Sequence, residues 1–305
     1  MTSSDFVTHD LPQNVRNAIR DALHAEPLEM QPVSGGKISH TVRVEVNGTP
    51  YAVKWKENTP PAFFEAEARG LGLLRSAKAF RVPDVVGYGE AAPDEEAAGY
   101  LIMEWIEPAP GVDPSEFASD YGRILAAQHS VTGKSFGLDH DNFNGDLRQQ
   151  NTPNTSWGVF FRDQRIGVQM EIARDKGLLT PEREIVLRNM MSRTVAILHG
   201  ATNPPSLLHG DFWSGNFIVA QGGSLAVVDP SVYYGDREIE IAYTEMFGGP
   251  PAGFLEAYRR AYPLASGYEY RRPLLQLYPM LVHMNHFGDD YWSGVEAICR
   301  YYGAV

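Results

Sequence analysis

The chain has 305 residues, 43% of them hydrophobic and 11% aromatic, enough apolar material for a substantial core in one large domain or two smaller ones. Its formal net charge of −12, from 26 Lys and Arg against 38 Asp and Glu, leaves no broad basic surface. It therefore excludes non-specific binding to nucleic acid or to anionic membranes. The single cysteine, Cys299, cannot form an intrachain disulfide, and no N-terminal apolar segment resembles a signal peptide or a membrane span, so the expected compartment is a reducing cytoplasm.

In chain order, residues 1–10 are polar, and Leu11 to His24 places Val15, Ile19 and Leu23 near helical spacing, which predicts an N-terminal helix. The period then changes to two. Thr41–Val46 alternates, Asn47-Gly48 is a two-residue hairpin signal, and Tyr51–Trp55 alternates again. Ahead of this hairpin, Ser34-Gly35-Gly36-Lys37 offers a turn in which Gly35 and Gly36 would let the backbone approach phosphate oxygens. Lys54 lies on the second hairpin strand, and Glu67 follows thirteen residues later in an amphipathic helix that opens with Pro60-Pro61. A strand lysine paired with a helix glutamate holds the α- and β-phosphates in kinase-type sites. Glu65 competes with Glu67 for that role, and only helical phase separates the two.

Val82–Gly89 and Tyr100–Ile106 read as further strands that complete a five-stranded antiparallel sheet. The stretch from Pro108 to Pro114 then breaks regular structure and marks a lobe boundary, which predicts an N-terminal lobe over 1–106, a C-terminal lobe over 107–305 and a hinge near 103–112. Met103, Glu104 and Ile106, at that hinge, would present backbone groups and apolar surface to an adenine ring. Beyond the boundary the pattern predicts helices over 115–130, 180–199, 237–247, 251–262, 270–286 and 290–302, with strands nearly absent and an all-helical second lobe. Residues 131–157, rich in Asn, Asp and Gln, read as a long functional loop.

The second lobe also contains His209-Gly210-Asp211-Phe212-Trp213-Ser214-Gly215-Asn216, between an apolar helix-like segment and the strand-like Phe217-Ile218-Val219. Asp211 precedes Asn216 by five residues, and Asp229 follows thirteen residues later at the end of the apolar run 225–228. That order and spacing is the one used by protein-kinase-type phosphotransferases. The first Asp takes the acceptor hydroxyl's proton, while the Asn and second Asp hold Mg2+ through hard oxygen donors. ATP and Mg2+ are therefore the expected cofactors. His209 is expected to brace the loop through the backbone, and Trp213 is either buried core or a wall of the acceptor pocket. His283 and His286 read as structural histidines on an otherwise apolar helix.

The loop 209–216, the run from Asp229-Pro230 through Glu238, and the C-terminal stretch from Gln276-Leu277-Tyr278 to Asn285-His286-Phe287-Gly288 resemble the fructosamine kinase (ketosamine-3-kinase) family. This family belongs to the aminoglycoside-phosphotransferase-like, protein-kinase-like superfamily. The similarity runs from Gly35 to about residue 300, and includes Phe136-Gly137, Asp141-Asn142-Phe143, Gly145 to Gln149, Asn151 and Trp157. The resemblance implies an α+β, bilobal protein-kinase-like fold. It implies ATP- and Mg2+-dependent phosphorylation of a sugar hydroxyl on a small-molecule or protein-bound ketosamine, with the chain acting as a monomer in protein deglycation. Under it, Trp213, Asn142 in the 142–151 loop, and His286 lie near the acceptor. Lys37, Asn144, Arg148, Gln150 and Phe212 depart from the family pattern; they leave the phosphate chemistry untouched and bear on the acceptor's identity. The alternatives are a phosphotransferase for an aminoglycoside, choline or another amino alcohol, and a non-catalytic nucleotide-binding protein.

Overall fold

The structure, a computed structural model, describes residues 11–33, 38–92, 97–200 and 203–305. Gly35 and Gly36, with Ser34 and Lys37 of the same turn, lie outside the described residues. The chain divides into two compact units, one made of residues up to Gly72 together with Val82–Glu107, the other of Leu73–Arg81 and Pro108–Val305.

In the first unit, helix α1 (Gln13–Leu23) is followed by strands β1 (Glu29–Pro32), β2 (His40–Val46) and β3 (Thr49–Lys56). Helix α2 (Phe63–Ala77), β4 (Val85–Gly89) and β5 (Gly99–Glu104) come next. The strands form one antiparallel sheet in the order β1-β2-β3-β5-β4. Asn47 and Gly48 both take positive φ, as the tight β2–β3 turn requires. Val42, Val44 and Val46 project from one face of β2 into a core shared with Val53, Trp55 and Ile102, and Leu11, Val15 and Ile19 close it from the side of α1. Burying each of these larger aliphatic side chains contributes about 1.5–3 kcal/mol. Asn14 ties α1 to the sheet through a reciprocal pair of hydrogen bonds with the Ala98 backbone, Nδ2 to O at 2.8 Å and N to Oδ1 at 3.3 Å. The fifth strand, β1, has no alternation in Glu29-Met30-Gln31-Pro32, and its terminal proline is tolerated because β1 is at the sheet edge.

The second unit is mainly helical. Its helices are α3 (Ala118–His129), α4 (Trp157–Phe160), α5 (Val168–Asp175), α6 (Pro181–Leu198), α7 (Glu238–Thr244), α8 (Phe254–Ala261), α9 (Tyr268–Phe287) and α10 (Trp292–Tyr301). Residues Phe161–Gly167 between α4 and α5 are π-helical. Helix α3 packs on α8 and α7 on α9. The first contact is close enough that a Cβ on Gly122 would lie 2.3 Å from the Phe254 carbonyl oxygen.

The expectation of an all-helical second lobe is corrected by six three-residue strands. They pair as β6 (Asn142–Asn144) with β7 (Leu147–Gln149), β8 (Ser206–Leu208) with β11 (Tyr233–Gly235), and β9 (Phe217–Val219) with β10 (Leu225–Val227). The segment just before the His209 loop is thus a strand, not helix-like. A fully buried run as short as Ser206-Leu207-Leu208 carries no period that separates strand from helix. No helix of the described residues is long and apolar enough to cross a membrane.

Candidate active site

The first unit contains a charged pair. Lys54 sits on the central strand β3, opposite Thr41 and Leu101, and is 6% exposed. Its Nζ lies 2.7 Å from Glu67 Oε1 on α2, with side-chain exposures of 8% and 13%. Glu65 instead lies 4.0 Å from Arg69 with 40% of its side chain exposed. Helical phase therefore separates the two candidates, since residues two apart on a helix face different directions. Met103 and Ile106 are buried, and Glu104 is tied to Asp84 by its backbone N–H at 2.7 Å and by Oε2, which accepts from Asp84 N at 3.3 Å.

In the second unit, paired ribbons set the spacing of the acidic residues. Strand β8 delivers His209, Asn216 stands just before β9, and Asp229 follows β10 by two residues. Val228 N donates to the Asn216 carbonyl at 3.2 Å, and Ser231 N to that of His209 at 2.8 Å, so hydrogen bonds on both sides hold Asp229 at its φ of 57°. Such a left-handed non-glycine residue is uncommon, and its strain persists only where the surroundings over-determine it. His209 is fully buried; its Nε2 donates to the Val228 carbonyl at 3.0 Å, which leaves Nδ1 to accept from Asp211 N at 3.3 Å. It bridges the two acidic segments through backbone contacts, the bracing role its position predicted.

Both carboxylate oxygens of Asp211 are held. Asn216 Nδ2 donates to Oδ2 at 2.9 Å and to the Asp211 carbonyl at 2.9 Å, and the Tyr243 hydroxyl on α7 donates to Oδ1 at 3.1 Å. Burial pushes the Asp211 carboxyl above its ordinary value, against the opposing pull of His209, Tyr243 and Asn216. Because the Asn216 amide nitrogen is committed to Asp211, its Oδ1 is oriented as a separate oxygen donor. Asn216 Oδ1 and the Asp229 carboxylate are oxygen donors of the kind that suits Mg2+, which takes few protein ligands and completes its shell with water and substrate phosphates. The described residues contain no group of three or more His, Cys, Asp and Glu able to hold a metal.

Around this centre, Trp213 is 49% exposed, with its indole over Gly215, where a Cβ would lie 2.3 Å from the ring. Asn142 is buried and its amide makes three hydrogen bonds, Nδ2 donating to the Val232 carbonyl at 2.7 Å and Oδ1 accepting from Gln149 and Asn151, each at 2.8 Å. His286 Nε2 donates to the Asn144 carbonyl at 3.1 Å and Nδ1 faces Asp146 at 3.3 Å, while burial lowers the ring's pKa. Asn142 and His286 therefore hold the β6–β7 hairpin in place. A pocket opens beside the loop, lined in part by Asn144, Gly210, Tyr243, Tyr278 and His283.

Sequence reasoning missed Glu240 and Tyr243. The Glu240 carboxylate accepts from His209 N at 3.2 Å and Gly210 N at 2.7 Å, and from His129 Nε2 at 2.9 Å. In the sequence Glu240 stands between Ile239 and Ile241, and the structure buries the whole run from Glu238 to Ala242, so its carboxylate needs internal partners.

A sequence model of fructosamine kinases matches residues 12–302. The chain belongs to the fructosamine kinase family. It is 36% identical over 274 residues to a probable ketoamine kinase of Lactiplantibacillus plantarum, covering 90% of this chain and 94% of the relative. It is 32% identical over 271 residues to the chloroplastic protein-ribulosamine 3-kinase of Arabidopsis thaliana, covering 87% and 80%. Among solved structures, one assigned as a fructosamine-3-kinase from Thermobifida fusca YX-ER1 superposes with a TM-score of 0.81 at 33% identity, over 94% of this chain and 97% of that one. The aminoglycoside phosphotransferase APH(4)-Ia, in a complex with AMP-PNP and hygromycin B, shares the fold with a TM-score of 0.66 at 18% identity, over 96% and 100%. This fructosamine kinase family member is a phosphotransferase that acts on a sugar hydroxyl, with an α+β, protein-kinase-like architecture.

Proposed function

We propose that this fructosamine kinase homologue transfers the γ-phosphoryl group of ATP, with Mg2+, to a sugar hydroxyl of a ketosamine of the fructosamine or ribulosamine type, as a step in deglycation. The observation that carries the reading is the Asp211 carboxylate, held by Asn216 and Tyr243 beside a pocket. Catalysis of this reaction is positioning plus charge neutralisation, because the transition state is loose and anionic. Lys54, fixed by Glu67, neutralises the α- and β-phosphates, and Gly35 and Gly36 supply backbone N–H groups to them. The backbone at Met103, Glu104 and Ile106 receives the adenine. Asn216 and Asp229 hold Mg2+, which when bound offsets charge on the phosphate oxygens. Asp211 orients the acceptor hydroxyl and takes its proton late in the reaction. Trp213 walls the acceptor site, and Asn142 and His286 shape it by fixing the hairpin. The proposed compartment is a reducing cytoplasm, where the chain's single cysteine, Cys299, stays a free thiol.

Incubation with ATP, Mg2+ and a panel of ketosamines, aminoglycosides and amino alcohols tests the reading. Release of ADP that depends on a ketosamine, and that falls on the order of a thousandfold in Asp211→Asn, is expected. Turnover confined to the other acceptors would sink it.

A further inference from the structure

The Tyr243 hydroxyl has a single proton, and it is directed at Asp211 Oδ1 at 3.1 Å. Burial and the adjacent carboxylate push the phenol far above its ordinary value, so it stays protonated and remains the donor in that bond. The ring is held by an edge contact with His283 at 6.4 Å and 70°, and His283 is itself fixed by donation from Nδ1 to the Pro279 carbonyl at 2.8 Å. Tyr243 is half-buried, lines the pocket, and sits on α7, whose Glu240 holds the backbone of the same loop. Two oxygens 3.1 Å apart, Asp211 Oδ1 and Tyr243 Oη, are thus positioned beside the pocket that Tyr243 lines, and toward an incoming molecule each can only accept a hydrogen bond.

The complement of two adjacent acceptors is two adjacent donors. The hydroxyls of a gauche vicinal diol have a closely similar oxygen separation. We propose that Tyr243 and Asp211 together read a vicinal diol, the hydroxyl to be phosphorylated donating to Asp211 Oδ1 and its neighbour donating to Tyr243 Oη. This deepens the proposed function and rests on it. In the transfer, the acceptor oxygen bonds to the γ-phosphorus as the bond to the β–γ bridging oxygen breaks. ADP leaves with that electron pair, the acceptor proton passes to Asp211, and Tyr243 keeps its own proton. Tyr243 is thereby a specificity-determining residue that selects sugars with an unsubstituted hydroxyl beside the reacting one, and disfavours acceptors whose hydroxyl stands alone.

The test compares a ketosamine that the wild-type enzyme turns over with analogues deoxygenated at either carbon flanking the phosphorylated hydroxyl, in wild type, Tyr243→Phe and Tyr243→Leu. The expected result is a fall in wild-type kcat/KM of about tenfold or more for one of the deoxy analogues, the effect of one lost hydrogen bond. Both variants should lose a similar factor on the parent acceptor, cease to distinguish it from that analogue, and keep the wild-type KM for ATP. Equal turnover of parent and deoxy acceptors by wild type overturns the inference, as does a wild-type preference retained in a folded variant. If wild type turns over no ketosamine at all, the proposed function fails and this inference with it; if it turns over ketosamines without diol selectivity, only the inference fails.

Discussion

The carboxylate of Glu240 reaches back across thirty-one residues to hold the backbone N–H groups of His209 and Gly210, the two residues immediately before Asp211. Behind it stands a directed chain: Arg237 donates to the Tyr258 hydroxyl at 3.1 Å, Tyr258 to His129 Nδ1 at 2.8 Å, and His129 Nε2 to Glu240 at 2.9 Å. Burial lowers the His129 pKa and favours the neutral ring that this order of donors requires. Glu240 therefore receives three donors, which a carboxamide cannot match without setting its NH2 group against another N–H. Glu240→Gln is expected to lose about 2–4 kcal/mol of stability. With the loop displaced, kcat should fall on the order of a hundredfold. Denaturant titration and steady-state kinetics check both values. A variant with wild-type stability and kcat would show that the brace is dispensable.

The Lys54–Glu67 pair yields a comparison internal to one helix. Lys54→Met is expected to lower kcat/KM for ATP by about a hundredfold or more, as removal of a preorganised charge at a reacting phosphate does elsewhere. Glu67→Gln should give a smaller loss in the same parameter, because it loosens the lysine without removing it. Glu65→Gln, whose partner is an exposed arginine, should leave ATP kinetics and stability within error of wild type. Equal effects of the Glu65 and Glu67 substitutions would refute the pairing.

Much of this site was legible because its chemistry depends on spacing in a short loop. Asp211, Asn216 and Asp229 carry their order in the chain, and the Asn47-Gly48 turn announced the hairpin bearing Lys54. What the sequence could not show were contacts between residues far apart in the chain. Tyr243 reaches Asp211 across thirty-two positions, and Glu240 reaches His129 across 111. A tyrosine near the end of a helix-like run looks the same whether it packs in a core or donates to a carboxylate. The three-residue strands failed for a different reason. The pairing of β8 with β11 is non-local and β8 is buried on both faces, so it lacks alternation, while the other strands, at three residues each, are too short to carry a period.

Gly210 offers a test of the loop's path. Its φ is +85°, and a Cβ there would lie 2.0 Å from the Ser231 carbonyl oxygen, in the segment that follows Asp229. Gly210→Ala meets two costs, the left-handed backbone and a backbone clash that no side-chain rotation relieves. The expected result is a loss of at least about 2 kcal/mol, with activity falling further than global stability accounts for. Gly222→Ala, also at positive φ but with nothing near the added atom, isolates the conformational term. If the two variants lose the same activity, the close approach at Ser231 is not what matters.

Asp236 predicts a pH dependence of stability separable from catalysis. It is 1% exposed and accepts from Asn203 Nδ2 and from Glu238 N, each at 2.9 Å. Burial, with the Glu238 charge adding to it, pushes its carboxyl from an ordinary value of 3.8 up to about 7. Between those two values the native state holds a proton that the unfolded chain releases, so Asp236 favours folding at the acid end of the window. That contribution is lost as pH rises toward 7 and stays lost above it. Asp236→Asn can still accept through Oδ1 and cannot ionise. Its stability relative to wild type should therefore improve from pH 5 to pH 8 by an amount on the order of a few kcal/mol. Chemical denaturation at pH 5, 6.5 and 8 measures the difference directly, and titrating groups that do not interact with Asp236 cancel because both proteins carry them. A stability difference that stays constant across the three pH values would mean that Asp236 is ionised in the native state throughout.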